Sequence, residues 1–434
     1  MVMNLFSDTD IFLATPTAAR LYRDHVKDLP IVELYCHLDV ASVAENRAFS
    51  NITELLLYGN LNLLELMRVC GVEERFITGN SSDFEKFREL CRIMPMLIGN
   101  SQYAFCHEAL RRFFNCELTI NSDNCETIWR RASDALTKRK LGAYDCLKAS
   151  RIKTIFVAAS PTDDLKPYEA LGSLDKDMSI LPVFCPDRCF DIGKRGALEY
   201  FSEIEKITSV SICDYDSFCK ACRLLMDRFE AVGCKTACHN VSAAYSFTRP
   251  DPYHANLVIQ KAISGMSAHI TKEELSLWQT QLLRFFGSEY TKRHWIMQIG
   301  CSQSYGCELE AALKYISGQG LLPKVLICAD RFNASDICKR LSITDQGRSV
   351  QLKEAIGISD DIESLARKTA LGSMVGLRNK IGGLGIEIAH KLFRQNACRV
   401  VGDWIDNGLC SEGAAAETIE NICYKNAATY FEIN

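Results

Sequence analysis

The sequence predicts an α/β protein, a (β/α)8 TIM-like barrel with a helical insertion after the first strand. Eight short apolar runs have the composition of parallel strands that are buried on both faces. Stretches with helical periodicity separate these runs, and eight strands with helices between them fit a closed barrel better than an open sheet. The runs are Ile31–Tyr35, Thr154–Ala159, Ile180–Cys185, Lys235–Val241, Trp295–Ile299, Lys324–Ala329, Ser349–Glu354 and Gly372–Leu377.

The insertion is predicted from the long gap between the first and second runs, about 39–151. Its pattern is mostly helical, as in Asn51–Cys70, Asp83–Met94 and Glu126–Lys138. We therefore assign residues 1–38 and 151–434 to the barrel and residues 39–150 to a helical insertion subdomain. Of the eight runs, Ser349–Glu354 has the weakest pattern and is assigned mainly because a barrel needs it. The segment Ala414–Phe431 is predicted to form a closing helix.

Composition excludes several classes of protein. Of the 434 residues, 47% are hydrophobic and 24% are charged, which is typical of a soluble globular protein. The net charge of -4 gives no basic surface for nucleic acid or for a membrane. The first 13 residues lack the positively charged region of a signal peptide. No apolar run is long enough to span a bilayer. The 21 cysteines then predict reduced thiols in the cytoplasm. A zinc knuckle needs a second Cys-x-x-Cys pair besides Cys219-x-x-Cys222, and the sequence has none at a suitable spacing. We therefore expect these two residues to be reduced cysteines within a helix.

Active sites of such barrels lie at the C-terminal ends of the strands. The residues that follow the predicted strands are His37, Ser160, Asp187, His239, Cys301, Asp330 and Arg378. We predict that three of them, Arg378, Asp187 and His239, contact substrate. Arg378 is the strongest candidate, because an arginine at the end of a strand can hold a carboxylate. The alternatives are a structural ion pair for Arg378, a loop-capping carboxylate for Asp187, and a hydrogen-bonded imidazole for His239.

Several sequence blocks, in the same order over nearly the whole chain, carry a family resemblance. They are Phe12-Leu13 with Leu21-Tyr22 and Pro30-Ile31, Gly71–Glu74, Ile77–Gly79, Glu85–Phe87, Gly99-Asn100 with Tyr103 and His107, Asp163–Lys166, Pro186-Asp187, Leu322–Lys324 and Asn421–Ala427 with Tyr430-Phe431. With these blocks the chain resembles the uronate isomerase (glucuronate isomerase) family of the amidohydrolase superfamily.

The resemblance implies an intramolecular oxidoreductase of uronic acid catabolism that converts a hexuronate aldose into a ketose, as from glucuronate to fructuronate. This reaction needs a base for the proton beside the carbonyl, a group for the enediolate oxygen, and a cation for the carboxylate. The implied cofactor is a divalent metal such as zinc, for which His37 is the single family ligand that remains. The implied partner is a small-molecule uronate, without nucleic acid or membrane, and a homo-oligomer is left open.

The chain departs from the family pattern at positions that carry chemistry. Tyr35 stands in place of the first histidine of the Asp-x-His-x-His strand. The other departures are Gly59–Glu65 in the insertion, Cys185 before Pro186, Cys238 before His239, Ile299-Gly300 in place of a histidine, and Val375-Gly376-Leu377 before Arg378. Because several metal and base positions are changed, activity of the family type is an open question.

Three hypotheses follow. The first is a uronate isomerase, with or without a metal. The second is a catalytically inactive relative that binds a sugar acid or serves as a partner subunit. The third is a different reaction at a Cys/His site, because thiolate and imidazole suit zinc. Its residues would be Cys36, His37, Cys185, Cys238, His239 and Cys301.

Overall fold

The structure, a computed structural model, describes residues 13–57, 60–174, 177–194, 196–240, 245–301, 306–329, 352–357, 361–378 and 385–433. Asp330, Gly59 and the first part of the predicted strand Ser349–Glu354 lie outside the described residues. The chain divides into two compact units, Met1–Ile155 with Asn379–Lys425 and Phe156–Arg378 with Asn426–Asn434. The predicted division, 39–150 against the rest, groups the chain differently and stays a prediction.

The first unit is mostly helical and contains strand β1, Ile31–Cys36, in which every residue is buried. The backbone N–H of Ile31 donates to the carbonyl of Arg151, at 2.7 Å, just before strand β2 begins. The α-helices of this unit are Pro16–Leu21, Val40–Ala44, Ile52–Leu57, Leu61–Val69, Asp83–Ile93, Ser101–Phe114, Cys125–Arg139, Ala143–Lys148, Gly385–Asp406 and Glu412–Glu420. Short turns of other helix types are Tyr22–Val26, Glu74–Phe76, Met94–Leu97 and Asn421–Lys425.

Between residues 39 and 150 helices occur where they were predicted, except that Asn51–Cys70 is divided into Ile52–Leu57 and Leu61–Val69. Helix Asp83–Ile93 begins at Ser82, whose side chain and that of Glu85 form a reciprocal capping box. Helices Ser101–Phe114 and Cys125–Arg139 both end at a left-handed residue. Their apolar faces pack in a common core, whose fully buried members include Leu56, Phe87, Leu90, Cys106 and Ile128.

The second unit is built around a parallel sheet. Its strands follow one another in chain order, from the end of β2 (Ile152–Ala159) through β3 (Ser179–Phe184), β4 (Thr236–Asn240), β5 (Ile296–Cys301), β6 (Val325–Ala329) and β7 (Leu352–Glu354). Each pair of neighbouring strands from β3 to β7 is parallel. The α/β class with a parallel sheet is therefore confirmed.

The last predicted strand differs from the structure. Residues Leu371–Ser373 form a helical turn, and the strand β9 is limited to Leu377–Arg378. It pairs with a short strand that the sequence did not predict, β8 at Ile356–Gly357, in a separate two-stranded sheet. The backbone changes direction at Gly376, which has a φ of 141° and whose carbonyl accepts a hydrogen bond from the N–H of Ile356.

Helices of the second unit cover its sheet. They are Lys166–Leu174, Asp187–Phe190, Ala197–Thr208, Tyr215–Ala231, Pro252–Ile263, Lys272–Arg293, Gly306–Gly318, Ile362–Lys368 and Asn426–Tyr430, with helical turns at Ser267–His269 and Leu371–Ser373. Cys219 and Cys222 lie inside helix Tyr215–Ala231, and both are buried free thiols. In the described part of the chain, no helix is long and apolar enough to cross a membrane.

Candidate functional site

A group of polar side chains lies at the C-terminal ends of the strands of the second unit. Asp187 begins the short helix after β3, and Asn240 is the last residue of β4. The carboxylate of Asp187 accepts two hydrogen bonds from Asn240, one from its backbone N–H at 3.2 Å and one from its side-chain amide at 2.7 Å. The two strand ends are thus tied together through one half-buried carboxylate.

Arg378 brings a cation to the same group of residues. It ends β9, is half-buried, and its Nη2 donates to the Sγ of Cys238 at 3.6 Å. Cys238 is buried in β4, and its electrostatic neighbours are Arg378, Cys328 and Asp187. We refer to Asp187, Cys238, Asn240 and Arg378 as the strand-end cluster.

Electrostatics give the members of this cluster different protonation behaviour. Burial raises the pKa of Asp187, although the two hydrogen bonds from Asn240 act in the opposite direction. Burial also raises the pKa of Cys238 to about 12, with Arg378 lowering it by less, and raises the pKa of Cys185 well above its usual range. The thiols are therefore neutral at physiological pH, and the ionisable groups of the cluster are Asp187 and Arg378.

Asn240 occupies space that a side chain at position 300 would need. In the register of β4 and β5, Asn240 lies opposite Gly300. A Cβ added to Gly300 would stand 2.7 Å from the amide oxygen of Asn240, closer than real Cβ contacts. Asn240 was not among the site residues predicted from the sequence. Period-two alternation along β4 would have placed it on the same face as Cys238.

The structure places His239 on the other face of β4. Its imidazole is buried, its Nε2 lies 3.1 Å from the hydroxyl of Tyr290, and its ring contacts Phe286 and Phe190. Burial lowers the pKa of His239 to about 3. The imidazole is thus held neutral among aromatic side chains, and the substrate contact of His239 stays a prediction.

His37 belongs to the first unit and follows β1. It is exposed, and its ring contacts Tyr35 edge to face, with 5.4 Å between centroids. Tyr35, in the position of a family metal ligand, is buried, and its backbone N–H donates to Glu33. In the same strand, Glu33 is fully buried, and its Oε2 lies 3.3 Å from the Nε2 of His390.

The remaining predicted residues have other roles or are not described. The backbone N–H of Ser160 donates to Asp163, and its hydroxyl lies 3.3 Å from that of Thr162, so Ser160 organises the loop after β2. Cys301 ends β5, and its side chain lies outside the described part of the chain, as does all of Asp330.

The donor set in the described residues does not fit a family-type metal centre. Within those residues, no group of three or more His, Cys, Asp and Glu side chains is arranged to hold a metal ion. Of the described members of the predicted Cys/His site, Cys238 and His239 lie on opposite faces of β4, and burial raises the pKa of the Cys36, Cys185 and Cys238 thiols.

The fold and the cluster define a class of protein, an α/β protein with a parallel sheet and an arginine and a carboxylate at its strand ends. A profile of the glucuronate isomerase family matches residues 3–307 and 351–431. This match covers most of the chain, and the chain belongs to that family, as its sequence blocks predicted.

Individual relatives agree with this assignment. A uronate isomerase of Lachnospira eligens is 29% identical, with 99% of each chain covered. One from Caldanaerobacter subterraneus is 27% identical over 99% of this chain and 100% of its own. Among solved structures, a uronate isomerase of Thermotoga maritima has a TM-score of 0.87 at 23% identity, covering 98% of this chain and 99% of its own. A glucuronate isomerase of Caulobacter crescentus has a TM-score of 0.85 at 16% identity, covering 99% and 98%. At these identities the structures show a shared fold.

Proposed function

We propose that this protein binds a hexuronate and catalyses its aldose–ketose isomerisation, of the glucuronate to fructuronate type, in the cytoplasm. The observation that carries the proposal is the family match over most of the chain, together with a strand-end cluster that retains a cation and a carboxylate. Uronate isomerases related to this chain cover it almost completely, so the similarity is not limited to one lobe.

We also propose that the fold is a (β/α)8 barrel formed by residues 1–38 and 151–434, with residues 39–150 as a helical insertion. The parallel sheet of the second unit and the shared fold with uronate isomerases support it. In such a barrel the strand-end cluster faces the substrate, as active sites of this architecture do.

In the proposed reaction, Arg378 holds the carboxylate of the sugar acid. A guanidinium presents paired N–H donors that match the two oxygens of a carboxylate. It is the charged donor of the cluster, and its Nη2 contacts the neutral thiol of Cys238 at 3.6 Å. Binding of the substrate carboxylate fixes the sugar relative to the strand ends.

Asp187 is the proposed base. It takes the proton from the carbon beside the carbonyl and returns it to the former carbonyl carbon, while the proton of the adjacent hydroxyl passes to the former carbonyl oxygen. The aldose is thereby converted into the ketose through an enediol. A raised pKa brings a carboxyl group closer to neutral pH, where it accepts and returns a proton more effectively. The two hydrogen bonds from Asn240 hold this carboxylate in one orientation.

One observation favours a second candidate, binding of a sugar acid without turnover. Tyr35, Cys238, Gly300 and Gly376 stand at positions where the family pattern has histidine or aspartate. A family-type enzyme would use a divalent metal such as zinc to polarise the sugar oxygens. If those positions are essential, Arg378 would still bind the carboxylate, and the proton transfer would not occur.

The test compares Arg378→Gln with Arg367→Gln. Arg367 is an exposed arginine of the second unit that pairs with Glu363, so it is a matched control. Loss of a charged hydrogen-bond partner should raise the KM for glucuronate by about tenfold or more in Arg378→Gln, with a smaller effect on kcat. A coupled assay for the ketose product, with glucuronate and galacturonate as substrates, measures both constants. Equal KM values in the two variants would contradict the role of Arg378.

The metal content of the same protein sample is measured by plasma mass spectrometry, and the assay is repeated with added zinc and with a chelator. Turnover that survives chelation supports the side-chain mechanism. Turnover that needs near-stoichiometric zinc would overturn it. Uronate binding by calorimetry without turnover under any of these conditions would establish the second candidate.

A further inference from the structure

A basic cavity of about 610 Å³ lies in the first unit and is lined by none of the residues of the strand-end cluster. It is located at the N-terminal end of β1, because Ile31, the first residue of that strand, lines it together with Arg151, the residue before β2. Helices Ser101–Phe114 and Gly385–Asp406 form further walls. Seven of its lining side chains are basic and two are acidic.

The two acidic side chains are already engaged with basic neighbours. Glu108 pairs with Arg111 at 2.6 Å and with Lys391 at 3.5 Å. Glu387 pairs with Arg112 and accepts a hydrogen bond from the hydroxyl of Ser150. Of the other basic side chains, Arg23 pairs with Asp24 and Arg151 with Asp28. Within the described residues, Lys27 and Arg394 are thus the lining cations that no carboxylate balances.

Arg394 is the most deeply buried of these cations. Its two terminal nitrogens donate to the carbonyls of Val26, Leu29, Pro30 and Cys423, at 2.6 to 3.5 Å. Within the described residues it has no carboxylate partner, and its Nε has no hydrogen-bond acceptor. Neutral carbonyls orient a guanidinium but leave its positive charge unbalanced.

One further basic group, Lys27, adds to the surplus of positive charge. Lys27 is exposed at the cavity and has no ion-pair partner in the part of the chain that the structure describes. Burial lowers the pKa of Arg112 and of Arg394, which is the cost of holding these cations partly desolvated. A bound anion would reverse this cost, since an opposite charge nearby favours the charged form.

We propose that this cavity binds a small polyanion whose negative groups are adjacent, of the phosphorylated-metabolite class. Arginine side chains match the oxygens of phosphate, and several converge here with Lys27 and Lys391. The volume is in the range of about 300–1,000 Å³ that holds a small metabolite. Polycarboxylates share the clustered negative charge and are separated from phosphates by the test. This inference does not depend on the proposed isomerase activity.

The experiment is isothermal titration calorimetry on the full-length protein, with inorganic pyrophosphate in one arm and citrate in the other, at physiological ionic strength. Wild-type protein should bind one pyrophosphate per chain saturably. The double variant Lys27→Gln/Lys391→Gln should weaken this binding by about tenfold or more, since charged hydrogen bonds and ion contacts are removed. Lys138→Gln, at an exposed lysine of the same unit that does not line the cavity, should leave it unchanged.

Four results would overturn the proposal. Absence of saturable pyrophosphate binding would exclude the site. Equal affinity of the double variant and Lys138→Gln would place the ligand elsewhere, and loss of pyrophosphate binding in Arg378→Gln would place it at the strand-end cluster. Tighter binding of citrate than of pyrophosphate would overturn the phosphoryl assignment. Melting temperatures of all variants, measured alongside, show that each one is folded.

Discussion

At the scale of single residues, Asp187 is the member of the strand-end cluster that combines a fixed orientation with a raised pKa. Its carboxylate is fixed by two hydrogen bonds from one residue, Asn240, while burial raises its pKa. Few carboxylates in a protein combine a defined orientation with reduced acidity, and that combination is typical of groups that exchange protons with a substrate.

Replacement of Asp187 by Asn is the direct test of the proposed base. The amide retains an oxygen that can accept a hydrogen bond from Asn240 but cannot take a proton, so kcat should fall by about 100-fold or more. The KM for glucuronate should change little, because Arg378 still holds the substrate carboxylate. Asp191→Asn, at a nearby carboxylate that pairs with Lys194 on the surface, is the control. A kcat for Asp187→Asn within twofold of that control would assign the base to another residue.

At the scale of elements, the close approach of β4 and β5 at Gly300 is the feature that positions Asn240. A methyl group on Gly300 would meet the amide oxygen of Asn240 at 2.7 Å. Gly300→Ala should therefore displace Asn240, lower the free energy of unfolding by about 1–3 kcal/mol, and reduce kcat because Asp187 loses its hydrogen-bond donor.

The matched control is Gly172→Ala, in helix Lys166–Leu174, where an added Cβ meets nothing within 4 Å. There the change should raise stability slightly, by about 0.5–1 kcal/mol, because alanine favours helix more than glycine does. Chemical denaturation and the isomerase assay measure both effects. If Gly300→Ala retained wild-type stability and kcat, Asn240 would have no positioning role.

The strands themselves were largely predictable from sequence. The six strands from β1 to β6 match the predicted runs to within a few residues, because parallel strands covered on both sides must be apolar throughout. The run Gly372–Leu377 has the same apolar composition, yet it forms mainly a helical turn before a two-residue strand. The direction of the chain there is decided by Gly376 and its partner Ile356, a long-range contact that composition does not encode.

The candidate site was predicted less completely than the fold. Strand ends could be identified, so Asp187 and Arg378 were predicted to lie at the C-terminal ends of strands. Which face a side chain occupies depends on the alternation along each strand. His239 was predicted to contact substrate, whereas the structure places its neighbour Cys238 beside Arg378 and His239 beside Tyr290. The hydrogen bonds between Asp187 and Asn240 join residues 53 positions apart and depend on how neighbouring strand ends are placed.

At the scale of the whole molecule, each unit contains a histidine that folding holds neutral. In the first unit, the Nδ1 of His107 lies 2.8 Å from the carbonyl of Tyr103, and its Nε2 accepts the backbone N–H of Ile120 at 2.9 Å. Both ring nitrogens are thus used in a way that only the neutral imidazole allows. Burial lowers the pKa of His107, as it lowers that of His239 in the second unit to about 3.

These two histidines should make the protein less stable in mild acid. Their pKa values are lower in the folded than in the unfolded state, so the unfolded chain binds more protons as the pH falls below about 6.5. Their full stabilising effect is present above that pH and is lost progressively towards each folded pKa. His107→Gln, whose amide both donates and accepts, should reduce the loss in free energy of unfolding between pH 7 and pH 5 by about 1–2 kcal/mol. The exposed His269→Gln should keep the wild-type dependence. Urea denaturation at both pH values measures this difference, and an unchanged dependence in His107→Gln would mean that His107 accepts a proton in the folded protein.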